Sequence, residues 1–174
     1  MDSDSFKKAT RKLFPQASPP DTLPEDGYGR TEFTYAILRH QTQIALEILK
    51  HYDDVNHRDH AGCADLFFAA QSCELEILQE LLKKGADPNI ETYLGVVPLM
   101  AALDAVQAHS HSTTFDAYER AFEMIKSLLE AGADPDKKNK SGGTARQLSK
   151  YLAPGPIADY LKALPKQNDG ESSV

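Results

Sequence analysis

Four glycines set the frame of this chain. Gly29 opens GRTEFTYAI, Gly62 opens GCADLFFAA, Gly95 opens GVVPLMAA and Gly142 opens GGTARQLS, at spacings of 33, 33 and 47 residues. A second landmark keeps the same step: Asp54-Val55-Asn56, Asp87-Pro88-Asn89 and Asp134-Pro135-Asp136 lie 33 and then 47 residues apart. Two markers sharing one period define a repeating unit. A period of this length belongs to stacked repeats, each touching only its neighbours, rather than to a globule closed around one core.

The second unit shows what is repeated. ADLFFAAQ is a short apolar stretch, and ELEILQELLKK puts Leu75, Leu78, Leu81 and Leu82 on one helical face with Glu76, Glu80 and Lys83 on the other. Such a helix pair cannot bury its apolar side alone. Ala69 and Ala70 are small enough for a neighbouring pair to approach, so each unit closes the core of the next. Gly85 follows the second helix, where a left-handed backbone ends it cheaply. Asp87 and Asn89 offer side-chain acceptors to the following turn.

A 33-residue unit of the form G-x-T-P-L-H-x-A, then a second helix ending in Leu-Leu, then Gly-Ala-Asp, resembles the ankyrin repeat over about residues 27 to 150. The resemblance implies an all-α solenoid of stacked antiparallel helix pairs with projecting hairpin loops. It also implies binding to another protein rather than a reaction. The chain departs from the pattern in places. Thr31 and Thr144 keep the capping hydroxyl of the first helix, whereas Ala64 and Val97 lose it, and Asp65 is expected to take over the cap. The family's histidine is replaced by Thr34, Phe67, Met100 and Gln147, which predicts a weaker hydrogen-bond network between repeats.

The longer third unit carries 14 extra residues between Met100 and Leu128. PLMAALDAVQA extends the first helix, and FDAYERAFEMIKSLLEA puts Phe115, Tyr118, Phe122, Ile125 and Leu129 on one stripe. Sharing the insertion equally would lengthen each helix by ~10 Å, giving a helical hairpin over about 98–130 that projects beyond its neighbours. Capping helices are expected at both ends. FKKATRKLF has helical apolar spacing before a breaker-rich PQASPPDTLPEDG, and PIADYLKAL completes the last pair. The organisation read from sequence is thus a capping helix and linker over 1–24, the repeat domain over 25–164, and a flexible tail over 165–174.

The net charge of -7 is uneven. Residues 1–14 carry four cations against two acids, which motivates one rival reading, nucleic-acid binding through the basic N-terminus, but the strongly acidic remainder disfavours it and favours a basic protein partner. No apolar run reaches the ~18 residues a membrane helix needs, and no secretion signal is evident, so a cytoplasmic protein is expected. Cys63 and Cys73 fall within the repeat template and are read as reduced packing residues. His109 and His111 motivate a rival reading, a metal-dependent enzyme built on the inserted hairpin. Alternate loop residues face apart, however, and no third ligand completes a shell. Nucleophile elbows, phosphate loops and paired-carboxylate motifs are missing from the sequence, so neither catalysis, a cofactor nor a small-molecule substrate is expected.

Partner contacts are therefore sought where such an array presents side chains. The hairpin tips would offer Tyr28, then His57, Arg58 and His60, then Glu91 and Tyr93, then Lys137 and Lys138. The short helices would offer Tyr35, Arg39, Phe68, Ser72 and Asp104 to the concave face. Tyr93 is the strongest tip candidate, because a large aromatic beside a turn has little structural need to be there. The function expected is binding of another protein through these tips and the concave face, with neutralisation of one cognate protein, as an inhibitor or a toxin-neutralising immunity protein does, as its narrower form.

Overall fold

The computed structural model describes residues 26–109, 115–152 and 155–165. The described residues form helices joined by hairpin turns, in antiparallel pairs. They are α1 (Glu32–Leu38) with α2 (Thr42–Leu49), α3 (Asp65–Gln71) with α4 (Leu75–Lys83), α5 (Pro98–His109) with α6 (Phe115–Glu130), and α7 (Ala145–Leu148) with α8 (Pro156–Ala163), α7 running into a 3-10 turn at Ser149–Tyr151. The first helices pack in one row, α1 on α3 on α5 on α7, and the second helices in another. The core is the seam between the rows. Phe33, Ile37, Leu66, Leu99 and Leu103 fill it from the first row, and Ile77, Leu78, Leu81, Met124, Ile125 and Leu128 from the second. Leu78 and Leu81 lie where the periodicity puts them, but Ile77 joins them at full burial while Leu75 and Leu82 sit half-buried at the edge.

Helix ends follow local chemistry. Thr31 and Thr144 each accept from the backbone amide three residues on, and Thr34 and Gln147 return the bond to the cap amide. Thr34 and Gln147, two of the residues standing where the family has histidine, thus build capping boxes. Ala64 caps α3 with no side-chain bond, and Asp65 does not replace it. Instead Asp65 turns inward, buried, accepting from Thr34 Oγ1 at 2.6 Å and from the Tyr52 hydroxyl at 2.9 Å. The first two repeats are therefore joined by a polar tie, contrary to the weaker network expected. After α4, Gly85 takes φ +90°, as the helix stop requires. The two turns inside the first and second pairs hold His40 and Cys73 at φ 55° and 57°, a left-handed backbone on residues with side chains.

The third pair is the long one. α5 has 12 residues against 7 in α1 and α3, and α6 has 16 against 9 in α4. At 1.5 Å per residue the added length is roughly 7–10 Å, so the pair reaches past its neighbours. Its aromatic stripe faces the last pair. The Phe122 ring meets Tyr160 edge-on at 5.6 Å, and the Tyr118 hydroxyl accepts from the Ile157 amide at 3.3 Å. The fourth pair closes on Arg146, which grips Asp136 with two nitrogens at 2.7 and 2.9 Å and donates to the carbonyls of Leu161, Leu164 and Pro165. The expected N-terminal capping helix, residues 1–24, lies outside the described residues, as does the tail beyond Pro165.

Candidate functional site

A hairpin tip can present side chains to a partner only if its backbone is fixed, and one position per repeat fixes it. Asp26, Asp59, Thr92 and Asn139 follow the spacings of the glycines. Each accepts from the amides two and four residues on. Asp26 takes Tyr28 and Arg30, Asp59 takes Ala61 and Cys63, Thr92 takes Leu94 and Val96, and Asn139 takes Ser141 and Gly143. The four-fold recurrence of Asp, Asp, Thr and Asn was readable from the sequence once the period was known.

The tips are then bonded to one another. His60 N donates to Tyr28 O at 2.8 Å, Tyr93 N to Ala61 O at 3.1 Å, and Lys140 N to Leu94 O at 3.0 Å. This backbone ladder crosses all four repeats. It needs glycine at the crossing points: a Cβ on Gly62 would come within 2.9 Å of Tyr93 N, and one on Gly95 within 3.0 Å of Asn139 Cα. Lower down, Asn side chains stitch the units. Asn56 accepts from Asp87 N, and Asn89 accepts from Asp134 N and donates to Gly132 O, both at 2.7 Å.

On this rigid edge the tip candidates divide. Tyr28 and Tyr93 stand 68% and 60% exposed, and Leu94, in the same tip as Tyr93, is 70% exposed. Arg58 lies over the Tyr93 ring at 5.5 Å and is itself anchored to the carbonyl oxygens of Gly62, at 3.0 Å, and Glu91. Tyr93 is thus held in place and still presented. His60 is exposed, whereas His57 is half-buried with Nε2 against Gly29 O at 2.9 Å. Lys137 is paired with Glu91 at 2.8 Å across the repeats, and Lys138 is exposed beside it.

The concave helix face is more worked into the fold. Tyr35 donates its hydroxyl to Asp26 at 2.6 Å, which raises the phenol and holds the Asp26 carboxyl below its ordinary range. Arg39 stacks over the Tyr35 ring at 5.3 Å and is exposed. Phe68, expected at the surface of this face, is instead 5% exposed beneath Arg30, whose guanidinium lies 5.4 Å from its ring. Packing a seven-residue helix between two neighbours leaves no free side for so large a ring. Ser72 is half-buried, and Asp104 is exposed with its carboxyl raised by partial burial.

Where α5 and α6 outreach their neighbours, a groove of ≈ 590 Å³ opens between the His40, Cys73 and Glu74 turns, Ala105, Arg120 and the exposed Tyr151. His40 Nδ1 and Thr42 Oγ1 both meet the Glu74 carboxylate, at 2.7 and 2.8 Å. Burial pushes the Cys63 thiol up to about 11 and raises Cys73 as well, so neither is a poised nucleophile. Among the described residues no group of three His, Cys, Asp or Glu is arranged to hold a metal. His111 and the side chain of His109 lie outside them. No described helix is long and apolar enough to cross a membrane.

Comparison with known proteins agrees with this architecture. The ankyrin-repeat family model matches residues 66–93, from α3 through the third hairpin tip. The human BCL-6 corepressor-like protein 1 is 33% identical over 126 residues, 72% of this chain. This chain spans 6% of the length of that relative. With the period, the paired helices, the capped turns and the hairpin ladder all in place, the described residues form an all-helical stack of the ankyrin-repeat kind, the repeat that the family model matches at 66–93.

Proposed function

We infer that the module docks one partner protein across the hairpin edge and the adjoining concave face, and performs no chemistry of its own. The observation that carries this is the ladder. Every tip is fixed by a side-chain tie and a backbone bond to the next tip, yet the edge leaves Tyr28, Tyr93 and Leu94 mostly in solvent. Large apolar groups on a preorganised backbone lose little conformational freedom on binding, which is what an interface anchor requires. Tyr28, Arg58, His60, Tyr93 and Lys138 supply the tip contacts, with Tyr35, Arg39 and Asp104 at the near side of the concave face. Glu91 and Lys137 brace the tips as an ion pair across the repeats, and His57, Phe68 and Ser72 support them from within.

Neutralisation of a toxin or of another cognate protein is a narrower form of the same reading, resting on size and charge.

A displayed library of random dodecapeptides, panned against the immobilised full chain, tests the docking reading. Retained peptides are expected to bind at least about tenfold more weakly to Tyr93→Ala and Arg39→Glu, a loss of ~1.4 kcal/mol, with thermal midpoints unchanged. Equal loss of thermal stability would make both residues structural, and a library that yields no specific binder would end the proposal.

A further inference from the structure

The acids of the hairpin edge are occupied inside the fold. Asp26 holds two amides and the Tyr35 hydroxyl, and Asp59 holds two amides and faces Arg30 at 3.4 Å. Glu91 is paired with Lys137, and Asp136 with Arg146. The cations are not matched in the same way. Arg58 directs its guanidinium to two carbonyl oxygens, which carry no full charge, and it makes no ion pair among the described residues. Lys138 and Lys140 are exposed and make no ion pair among the described residues.

These cations flank apolar surface. Arg58 covers one side of Tyr93, Leu94 follows at 70% exposure, and the Leu94 carbonyl is bonded to Lys140 N. Arg58, Tyr93, Leu94 and Lys140 therefore form one continuous strip over the second to fourth hairpins, positive at both ends and apolar between. On a chain whose net charge is -7, this strip reverses the sign expected from composition.

We propose that this strip is the site for an acidic peptide segment of the partner, an apolar side chain covering Tyr93 and Leu94 while carboxylates face Arg58 at one end and Lys138 and Lys140 at the other. The proposal rests on the docking reading above and specifies its ligand. Carboxylates placed there meet charges that the fold leaves unmatched, and steer association at low ionic strength. A nucleic acid fits less well. Its charge recurs at every phosphate, and a strand long enough to bind would run onto the exposed Asp53, Asp54 and Asp87 at the base of the same hairpins.

The test uses the full chain and three fluorescein-labelled probes: a peptide of Glu and Leu, its Lys and Leu counterpart, and a dodecathymidylate. Anisotropy at low salt is expected to show binding of the Glu/Leu peptide alone. Lys138→Glu combined with Lys140→Glu weakens it at least about tenfold, and Leu94→Ser weakens it by a similar factor. All three side chains are exposed, so thermal melts of these variants should match the parent. Tighter binding of the Lys/Leu peptide or of the oligonucleotide overturns the proposal, as does affinity that ignores the lysine reversals. If library peptides bind and respond to Arg39 but not to Leu94, Lys138 or Lys140, the docking reading stands and this one falls. If no peptide binds, both fall.

Discussion

Asp65 offers the sharpest test of how this stack is held together. Asp65 is 1% exposed, between Thr34 of α1, Tyr52 of the connection from α2 to α3, and its own helix α3. Desolvation outweighs the two hydroxyl donors and raises its pKa from 3.8 to about 6, with smaller opposing influences from His57, which lowers it, and Asp54, which raises it. The folded state therefore binds this proton more tightly than the unfolded chain does. Stability from this group is greatest below about pH 4 and falls as pH rises through the window up to about 6 and just beyond. A separation of about two pH units at ~1.4 kcal/mol each amounts to about 3 kcal/mol in full, of which about 1.4 kcal/mol is lost between pH 5 and pH 8. Asp65→Asn keeps an acceptor and adds a donor in the same volume, and both hydroxyls can rotate to suit it. Urea unfolding followed by circular dichroism, for parent and variant at several pH values across that range, reads the difference directly. The Asn variant should gain on the parent by about 1.4 kcal/mol from pH 5 to pH 8. Parallel curves, or a variant that loses ground as pH rises, would show that the carboxylate is not held at a desolvation cost.

Other outcomes follow from the same contacts. Arg146→Ala removes the fork on Asp136 and the bonds to three α8-end carbonyls. It should cost about 2–3 kcal/mol and raise hydrogen exchange over 156–163, and Arg146→Lys should not restore it because a point charge cannot span both partners. Asn89→Ala breaks both bonds to the fourth repeat, at a cost of about 1–2 kcal/mol in denaturant unfolding. At Cys73, φ 57° makes Cys73→Val worse by about 2 kcal/mol, whereas Cys73→Gly should stay within about 1 kcal/mol of the parent, since relief of the backbone offsets lost packing.

Much of this architecture is legible in the sequence. A period of 33 fixes the unit, because stacking places equivalent residues in equivalent surroundings, and any landmark that repeats must serve the scaffold. The glycines, the Leu-rich helices, the long third pair and the capping hydroxyls of Thr31 and Thr144 are all local matters of periodicity and backbone chemistry. They survive translation into three dimensions with little change.

What the sequence could not decide was which polar side chains turn inward. Asp65 reads as a helix cap and becomes a buried acceptor, because Thr34 and Tyr52, 31 and 13 residues away, happen to point donors at it. Phe68 reads as a surface aromatic and is buried under Arg30. Glu91 and Lys137 read as separate tip charges and neutralise each other across a repeat, while Arg58 spends its bonds on carbonyls and keeps its charge. The sequence by itself determined the repeating scaffold and the edges that could face a partner. Only the tertiary structure decided which charges and rings remain on those edges, because pairing between repeats is set by distances across the stack, and no local pattern encodes them.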